Sequence, residues 1–346
     1  MSGHGADMPA WQLRAKCGNR CGVSLTPRLD YDRWINTVSF ATYGVGGVLE
    51  ERTKLNKERR AAIWFRRQVG VKRSLSRLGG LPALPADLAW PRHGESGAPL
   101  HFLAQVDLSR LPPTPFDGAA NAASLPNSGL LFFFADMVEE MLWNENGGPF
   151  ATTRVIFADG AGPERRPPED IPEILHAYGE KAGGYETGMT VYPHAGLEPH
   201  VIDTFGGLQP YPDPSDAYAA AAQTALITSI ERAMGPLPVF SGPGSFAALE
   251  AAKPREYVHE LQFRDGAERR ELHCPLHQML GAGRNIQGTA ESLHADGAIL
   301  LMQIDSDRAV HDEFMFCDGG AAQFWIKPPD LAQRRFGKAW ATTEGG

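Results

Sequence analysis

The chain has 346 residues, of which 42% are hydrophobic and 21% are charged, and its formal net charge is −8. This composition is that of an ordinary globular protein, and the length suggests about two domains or pseudo-domains. No apolar run approaches the roughly 18 residues that a membrane-spanning helix needs, and four cysteines are too few for a disulfide scaffold in a chain of this length.

The N-terminal stretch is basic and has weak hydrophobic periodicity. We therefore expect residues 1–52 to form a flexible or loosely attached extension. Residues 1–73 carry 14 Lys and Arg against 6 Asp and Glu. Such an arm can bind nucleic acid, but no zinc-finger spacing or aromatic-interleaved basic motif accompanies it, so nucleic acid is not the expected partner. The start also lacks the charged-then-apolar order of a secretory signal, so we expect a cytoplasmic protein and no membrane association.

Along the rest of the chain, strands outnumber helices and the connections are irregular. Apolar residues among arginines and lysines predict an amphipathic helix over 53–69 that covers one face of a sheet. A second, Ala-rich helix is predicted over 217–234, with Ser215 as its N-cap, and a short one over 245–252. Runs of Phe, Leu and Val predict strands over 101–107, 130–135, 152–157, 257–263, 298–304 and 323–326. This order favours an α+β class with a mainly antiparallel or mixed sheet.

Two stretches of sequence resemble each other. Residues 100–107 and 298–305 are both apolar runs that carry a Gln and end on an Asp two positions later. A Leu-Gly pair precedes each stretch and an aromatic strand follows each one. We therefore predict an internal duplication, with related halves at about 74–160 and 255–340 inside one domain at 53–346.

Three blocks of sequence carry a resemblance to a known family. The blocks are Leu78-Gly79-Gly80-x-Pro82 with Trp90-Pro91 and residues 102–108; Leu125-Pro126-x-x-Gly129-x-Leu131-Phe132-Phe133; and His277-x-Met279-Leu280-Gly281 with Ile286-Gln287, residues 300–307 and Phe324-Trp325-Ile326. Together they span about residues 74–340 and resemble the YwqG-like family, a bacterial domain of unknown function. The resemblance implies an α+β fold with an internal repeat and supplies no established activity. Cys317-Asp318-Gly319-Gly320 departs from the Trp-Gly-Asp-x-Gly run that is usual in that family.

Gln105 and Gln303 are the first candidate binding residues, because they occupy matched positions in apolar strands. A buried amide must form hydrogen bonds. Each amide could hold a neighbouring loop against the sheet, or both could line one pocket between the two halves. A groove of this kind would bind an unknown protein or a small-molecule ligand, and it would be lined by Trp90, His101, Gln105, Gln303, Asp305 and Trp325.

Carboxylates cluster near the end of the later strand, at Asp305, Asp307, Asp312, Glu313 and Asp318. Oxygen ligands of this kind suit Mg²⁺ or Ca²⁺, but Asp residues at strand ends also cap turns. With His277 nearby in sequence, they suggest a metal site formed by His277, Asp305 and Asp307. The structural alternative is that His277 caps the turn at Gly281.

The sequence therefore leaves two functions open. The first hypothesis is a non-catalytic binding or protein-interaction module without a cofactor, since we find no convergent set of acid, base and nucleophile. The second is a metal-dependent hydrolase that uses Asp305, Asp307 and His277. Cys274 lies between His273 and His277, but a nucleophilic pair depends on proximity in the fold rather than in sequence.

Overall fold

A computed structural model describes residues 45–68, 74–113, 125–138, 151–174, 189–208, 216–241, 258–264 and 267–345. Its helices are α1 (Val45–Glu58), α2 (Ala217–Met234), α3 (Thr289–Ala295) and α4 (Pro328–Ala332). Its strands are β1 (Arg59–Gln68), β2 (Arg77–Leu78), β3 (His101–Asp107), β4 (Leu130–Ala135), β5 (Thr153–Ala158), β6 (Ala195–Phe205), β7 (Val239–Ser241), β8 (Val258–Arg264), β9 (Ala267–His273), β10 (Gln278–Leu280), β11 (Ile299–Asp305), β12 (Ala321–Ile326) and β13 (Trp340–Glu344).

Ten strands form one antiparallel sheet in the order β13-β12-β11-β10-β1-β6-β2-β3-β4-β5. A smaller sheet has the order β7-β8-β9, and its first pair is parallel. The α+β class is thus confirmed. No helix within the described ranges is both long enough and apolar enough to span a bilayer.

The predicted helix over 53–69 is wrong in its second half. Helix α1 ends at Glu58, and the chain continues as β1, which lies at the centre of the large sheet. Successive residues of β1 are buried on both faces of the sheet: Ile63 and Phe65 on one, Ala62 and Trp64 on the other. A strand buried on both faces loses the alternating pattern that identifies strands in sequence, so the arginines around it suggested a helix instead.

The other predicted elements that fall within the described ranges agree with the structure. Helix α2 covers the predicted span, and Asp216 is its N-cap, with its side chain accepting a hydrogen bond from Ala219 N at 3.0 Å. Ser215, the helix predicted over 245–252 and most of the predicted extension at 1–52 lie outside the described residues. The division into 1–52 and 53–346 stays a prediction.

The sheet is arranged in the same way on either side of its central pair. Strands β2-β3-β4-β5 follow β6 on one side, and β10-β11-β12-β13 follow β1 on the other. Strands β3 and β11 also carry a register irregularity at corresponding places, between Phe102 and Ala104 and between Leu300 and Met302. The two halves therefore share their topology and register; their origin by duplication remains our proposal.

One face of the large sheet encloses the main hydrophobic core. The edge strands β5 and β13 contact each other, so the sheet curves around this core. Phe133 of β4 and Phe324 of β12 meet inside it edge to face, with ring centroids 5.1 Å apart. On the opposite face, α2 packs on β1 and β6 through Trp64, Ile202 and Leu226. Complete burial of each such side chain stabilises the fold by about 2 kcal/mol.

Candidate functional site

The six predicted binding residues are all buried within the protein. Each is at most 8% exposed. Trp90 Nε1 donates to Leu100 O at 2.9 Å, and Trp325 Nε1 donates to Thr342 Oγ1 at 2.9 Å. His101 Nδ1 accepts from Met137 N at 3.2 Å, and its Nε2 lies 2.9 Å from Pro172 O. The hydrogen-bonding atoms of these three side chains are thus engaged by the protein itself, and their role in binding stays a prediction.

Gln105 and Gln303 make matching contacts in the two halves. The Gln105 amide donates to Leu75 O at 2.7 Å and accepts from Ala83 N at 2.9 Å. The Gln303 amide donates to Leu276 O at 2.7 Å and accepts from Arg284 N at 2.8 Å. Each amide therefore holds a neighbouring loop against the sheet, as the structural interpretation of these residues predicts.

Asp305, Asp307 and His277 form a buried chain of hydrogen bonds. Asp305 N donates to His277 Nδ1 at 3.1 Å, which leaves Nε2 as the protonated ring nitrogen, and this nitrogen lies 3.1 Å from Asp307 Oδ2. The prediction that His277 caps the turn at Gly281 is therefore wrong. Asp307 Oδ2 also forms an ion pair with the buried Arg67 side chain.

The charges in this chain are balanced by protein groups. Asp305 Oδ2 accepts from Leu276 N at 2.7 Å, and its Oδ1 pairs with Arg284 Nη1 at 2.5 Å. Burial acts to raise the pKa of Asp307, but the hydrogen bond from His277 and the Arg67 charge outweigh it, so the pKa is lowered. Of the carboxylates predicted to cluster here, Asp312 and Asp318 are exposed. Across the described ranges, no group of three or more His, Cys, Asp or Glu side chains is placed to hold a metal ion.

A cleft opens beside this network, between α2, the segment that follows β9 and the turn that follows β10. The cleft is small: its cavity volume is about 50 Å³, and it reaches about 530 Å³ only when the space open to solvent is counted. Its walls combine apolar side chains with a small number of polar ones, which is the usual composition of a small-molecule site. The lining residues are Thr204, Phe205, Leu208, Gln223, Leu226, Leu272, Cys274, Leu276, Gln278, Ala282, Gly283 and Arg284.

Two glutamines of this lining have unused hydrogen-bonding capacity. Gln223 is 5% exposed, and its amide forms no hydrogen bond with a described residue. Gln278 is 1% exposed; its Nε2 donates to Leu280 O at 3.0 Å and to Ala282 O at 2.9 Å. These two carbonyl partners fix the amide orientation, and Gln278 Oε1 accepts no hydrogen bond from the part of the chain that the structure describes. Neither amide belongs to the fully buried side-chain atoms that lack a partner, so these atoms reach the open space of the cleft, where water or a ligand can bond to them.

The remaining polar groups of the lining are Cys274, Thr204 and Arg284. Burial, together with the nearby Asp305 carboxylate, raises the pKa of the Cys274 thiol, so the sulfur is neutral at pH 7 and is a poor nucleophile. Thr204 Oγ1 donates to Arg60 O at 2.9 Å and accepts from Ala282 N at 2.8 Å. Arg284 pairs with Asp305. The Thr204 hydroxyl and the Arg284 guanidinium are thus both engaged by protein groups.

Sequence reasoning did not select Gln223 or Gln278. Gln223 falls on the buried face of α2, among Ala219, Ala222 and Leu226. A glutamine on the apolar face of an amphipathic helix is a signal that could have been noticed. Gln278 had no such signal, because it stands in a three-residue strand whose partners come from β1 and β11.

Comparison with known proteins gives a family but no activity. Residues 76–344, more than three quarters of the chain, match the model of a domain of unknown function, DUF1963. Among curated proteins, none matches this sequence.

Proposed function

The chain belongs to the DUF1963 family, and from that premise we propose that it is a non-catalytic module that binds a small molecule in the cleft beside α2. The observation that carries this proposal is the pair of glutamines, Gln223 and Gln278: the side chains are largely buried, but the Gln223 amide and Gln278 Oε1 reach the space of the cleft and have no partner among the described residues. A bound ligand would supply the missing partners. The apolar lining around them would contribute the burial that binding needs.

A non-catalytic role is supported by the ion pairs of the carboxylates near the cleft and by the protonation of the Cys274 thiol. Asp305 and Asp307 are engaged by Arg284, Arg67 and His277. Their carboxylates are thus not free to act as a general base. The raised pKa of Cys274 keeps its thiol protonated at neutral pH.

The test is a ligand-observed NMR screen of a fragment library against the full chain and two variants. Gln223→Met keeps the size of the side chain and removes its amide. Gln287→Met makes the same exchange at an exposed position outside the cleft lining. We expect fragments that bind the wild type and the Gln287→Met variant, and whose affinity falls at least tenfold in the Gln223→Met variant. Fragments that bind all three proteins equally, or no binding fragment at all, would contradict the proposal.

The hydrolase hypothesis at His277, Asp305 and Asp307 makes a different prediction. A metal-dependent enzyme should take up Mg²⁺, Ca²⁺ or Zn²⁺ stoichiometrically, and its melting temperature should fall when a chelator is added. Under our proposal, the melting temperature stays the same with these ions and with EDTA. Stoichiometric metal in the purified protein would favour the hydrolase instead.

We also propose narrower assignments that rest on the sequence. The motif blocks at 78–108, 125–133 and 277–326 support membership of the YwqG-like family and an origin by duplication, which the matching registers of the two halves also favour. The cysteine usage supports a reducing, cytoplasmic location, and the resemblance to that family supports a bacterial origin. The absence of a nucleic-acid-binding motif supports a small molecule or a protein as the partner.

A further inference from the structure

We propose that the cleft binds a neutral ligand that carries an amide group, with its N–H donor and C=O acceptor side by side, next to an apolar ring. Gln223 and Gln278 would form hydrogen bonds with the amide group. This inference rests on the proposed function, since it names the class of ligand for the same cleft. It follows from the charge balance of the cleft, from the hydrogen-bonding capacity of its two glutamines and from the shape of its apolar wall.

The charge balance of the lining favours a neutral ligand. Among the described residues that line the cleft, Arg284 is the one with a charged side chain. Its Nη1 pairs with Asp305 Oδ1 and donates to Gly319 O at 3.3 Å. Asp305 already balances the charge of this guanidinium, so an anion would be repelled by that carboxylate and would also lose its own hydration. A cation would meet no free carboxylate among the lining residues.

The hydrogen-bonding capacity of the two glutamines matches a ligand that has both a hydrogen-bond donor and a hydrogen-bond acceptor. Gln278 Oε1 can only accept, so the ligand must present an N–H or an O–H to it. Gln223 can donate through Nε2 and accept through Oε1. A carboxamide, or the amide edge of a heterocycle, presents one donor and one acceptor side by side and therefore satisfies this set. A carboxylate presents acceptors only and would leave Gln278 Oε1 without a partner.

The apolar side chains of the lining indicate that the remainder of the ligand, beyond its amide group, is apolar. Side chains from three stretches of the chain border the cleft around the two glutamines: Phe205, Leu208, Leu226, Leu272 and Leu276. A ring placed against them would bury apolar area, which stabilises the complex by about 25 cal/mol per Å².

The other half of the sheet has a different residue at the position that corresponds to Gln278. Arg77 stands where Gln278 stands, as the register partner of Gln105, and it bonds to Leu81 O and Glu164.

The experiment compares two probes of nearly the same shape, nicotinamide and nicotinate, by titration of the full chain in NMR and calorimetry. We expect nicotinamide to bind the wild type with a dissociation constant of millimolar order or lower, and nicotinate to bind at least tenfold more weakly. The Gln223→Met variant should lose at least tenfold in affinity for nicotinamide, whereas Gln287→Met should retain it. The melting temperatures of both variants establish that they are folded.

Three results would overturn the inference. If nicotinate binds as tightly as nicotinamide, the cleft does not discriminate between a neutral ligand and an anion. If nicotinamide binds equally well to the wild type and to Gln223→Met, the amide is not read by this glutamine. If nicotinamide fails to bind while other fragments bind in a Gln223-dependent way, the ligand class is wrong although the proposed function stands. Failure of every fragment would remove the proposed function itself.

Discussion

Buried charged side chains in this protein are stabilised by specific partners, and Asp307 is the clearest case. It is 2% exposed, pairs with the buried Arg67 side chain, and accepts hydrogen bonds from His277 Nε2 and Ala309 N. The sequence identified Asp307 as a candidate ligand because it lies in an acidic segment. Its actual partners come from β1, from the residue before β10 and from its own turn, so a pattern along the chain could not reveal them.

Substitution Asp307→Asn should destabilise the protein by about 3 kcal/mol, because the buried Arg67 guanidinium loses its carboxylate. The pH dependence follows from the lowered pKa of Asp307. The carboxylate contributes its stability fully above the unfolded value of 3.8, and this contribution is lost as the pH falls through the lower folded value. Urea unfolding between pH 3 and pH 7 should therefore show a constant difference from the wild type above about pH 5 that shrinks below it.

The control for this prediction is Asp312→Asn, at an exposed position in the same segment. It should change the free energy of unfolding by less than about 0.5 kcal/mol. Equal effects of the two substitutions would show that the ion pair does not stabilise the fold.

At the scale of elements, the short strands β2 and β10 end in the same unusual turn. Gly79 and Gly80 follow β2, with φ of 54° and 69°, whereas Leu280 is the last residue of β10 and Gly281 follows it, with φ of 63° and 69°. Glycine adopts this left-handed conformation freely, whereas Leu280 adopts it at a cost of about 1 kcal/mol. The sequence matched Leu78-Gly79 with Leu280-Gly281, but the strand register aligns Gly79 with Leu280, one residue away from that match. The need for positive φ became evident only in the structure.

The Gly79→Ala substitution should destabilise the protein by about 3 kcal/mol. Left-handed backbone costs an alanine about 1 kcal/mol, and the added methyl would in addition collide with the carbonyl oxygen of Pro193. Gly97→Ala is the matched control, because Gly97 has φ of 71° and open space around its Cα. Thermal and urea unfolding should show the larger loss for Gly79→Ala. Similar losses for the two variants would mean that the collision is relieved by movement of the chain.

The whole molecule is held together where its two halves meet in the core. Phe133 and Phe324 occupy equivalent positions in the two halves. The first residue of β4 pairs with Asp107 and the first residue of β12 pairs with Asp305, and each Phe lies three residues further along its strand. Their rings are 5.1 Å apart at an angle of 65°. An edge-to-face contact of this kind adds about 1 kcal/mol to the burial of the rings. The halves should therefore unfold together.

A double-mutant cycle with Phe133→Leu and Phe324→Leu should measure a coupling free energy of about 1 kcal/mol between the two positions. Phe205 packs on the opposite face of the sheet, in the cluster under α2. Phe133→Leu and Phe205→Leu should therefore be additive to within about 0.5 kcal/mol. A zero coupling between Phe133 and Phe324, or separate unfolding transitions for the two halves, would contradict this view of the core.

The sequence by itself determined the α+β class, the span of α2, most outer strands and the similarity between the segments around Gln105 and Gln303. These features are local, because they depend on the spacing of apolar residues, on helix-forming residues and on capping groups, all of which lie close together in the sequence. The tertiary structure decided what depends on distant partners. It made residues 59–68 a central strand because both faces of that segment are covered. It also joined Asp307 to Arg67 and His277, and it assembled the cleft from β6, α2, β9 and β10, which are distant in sequence and belong to a helix and two different sheets.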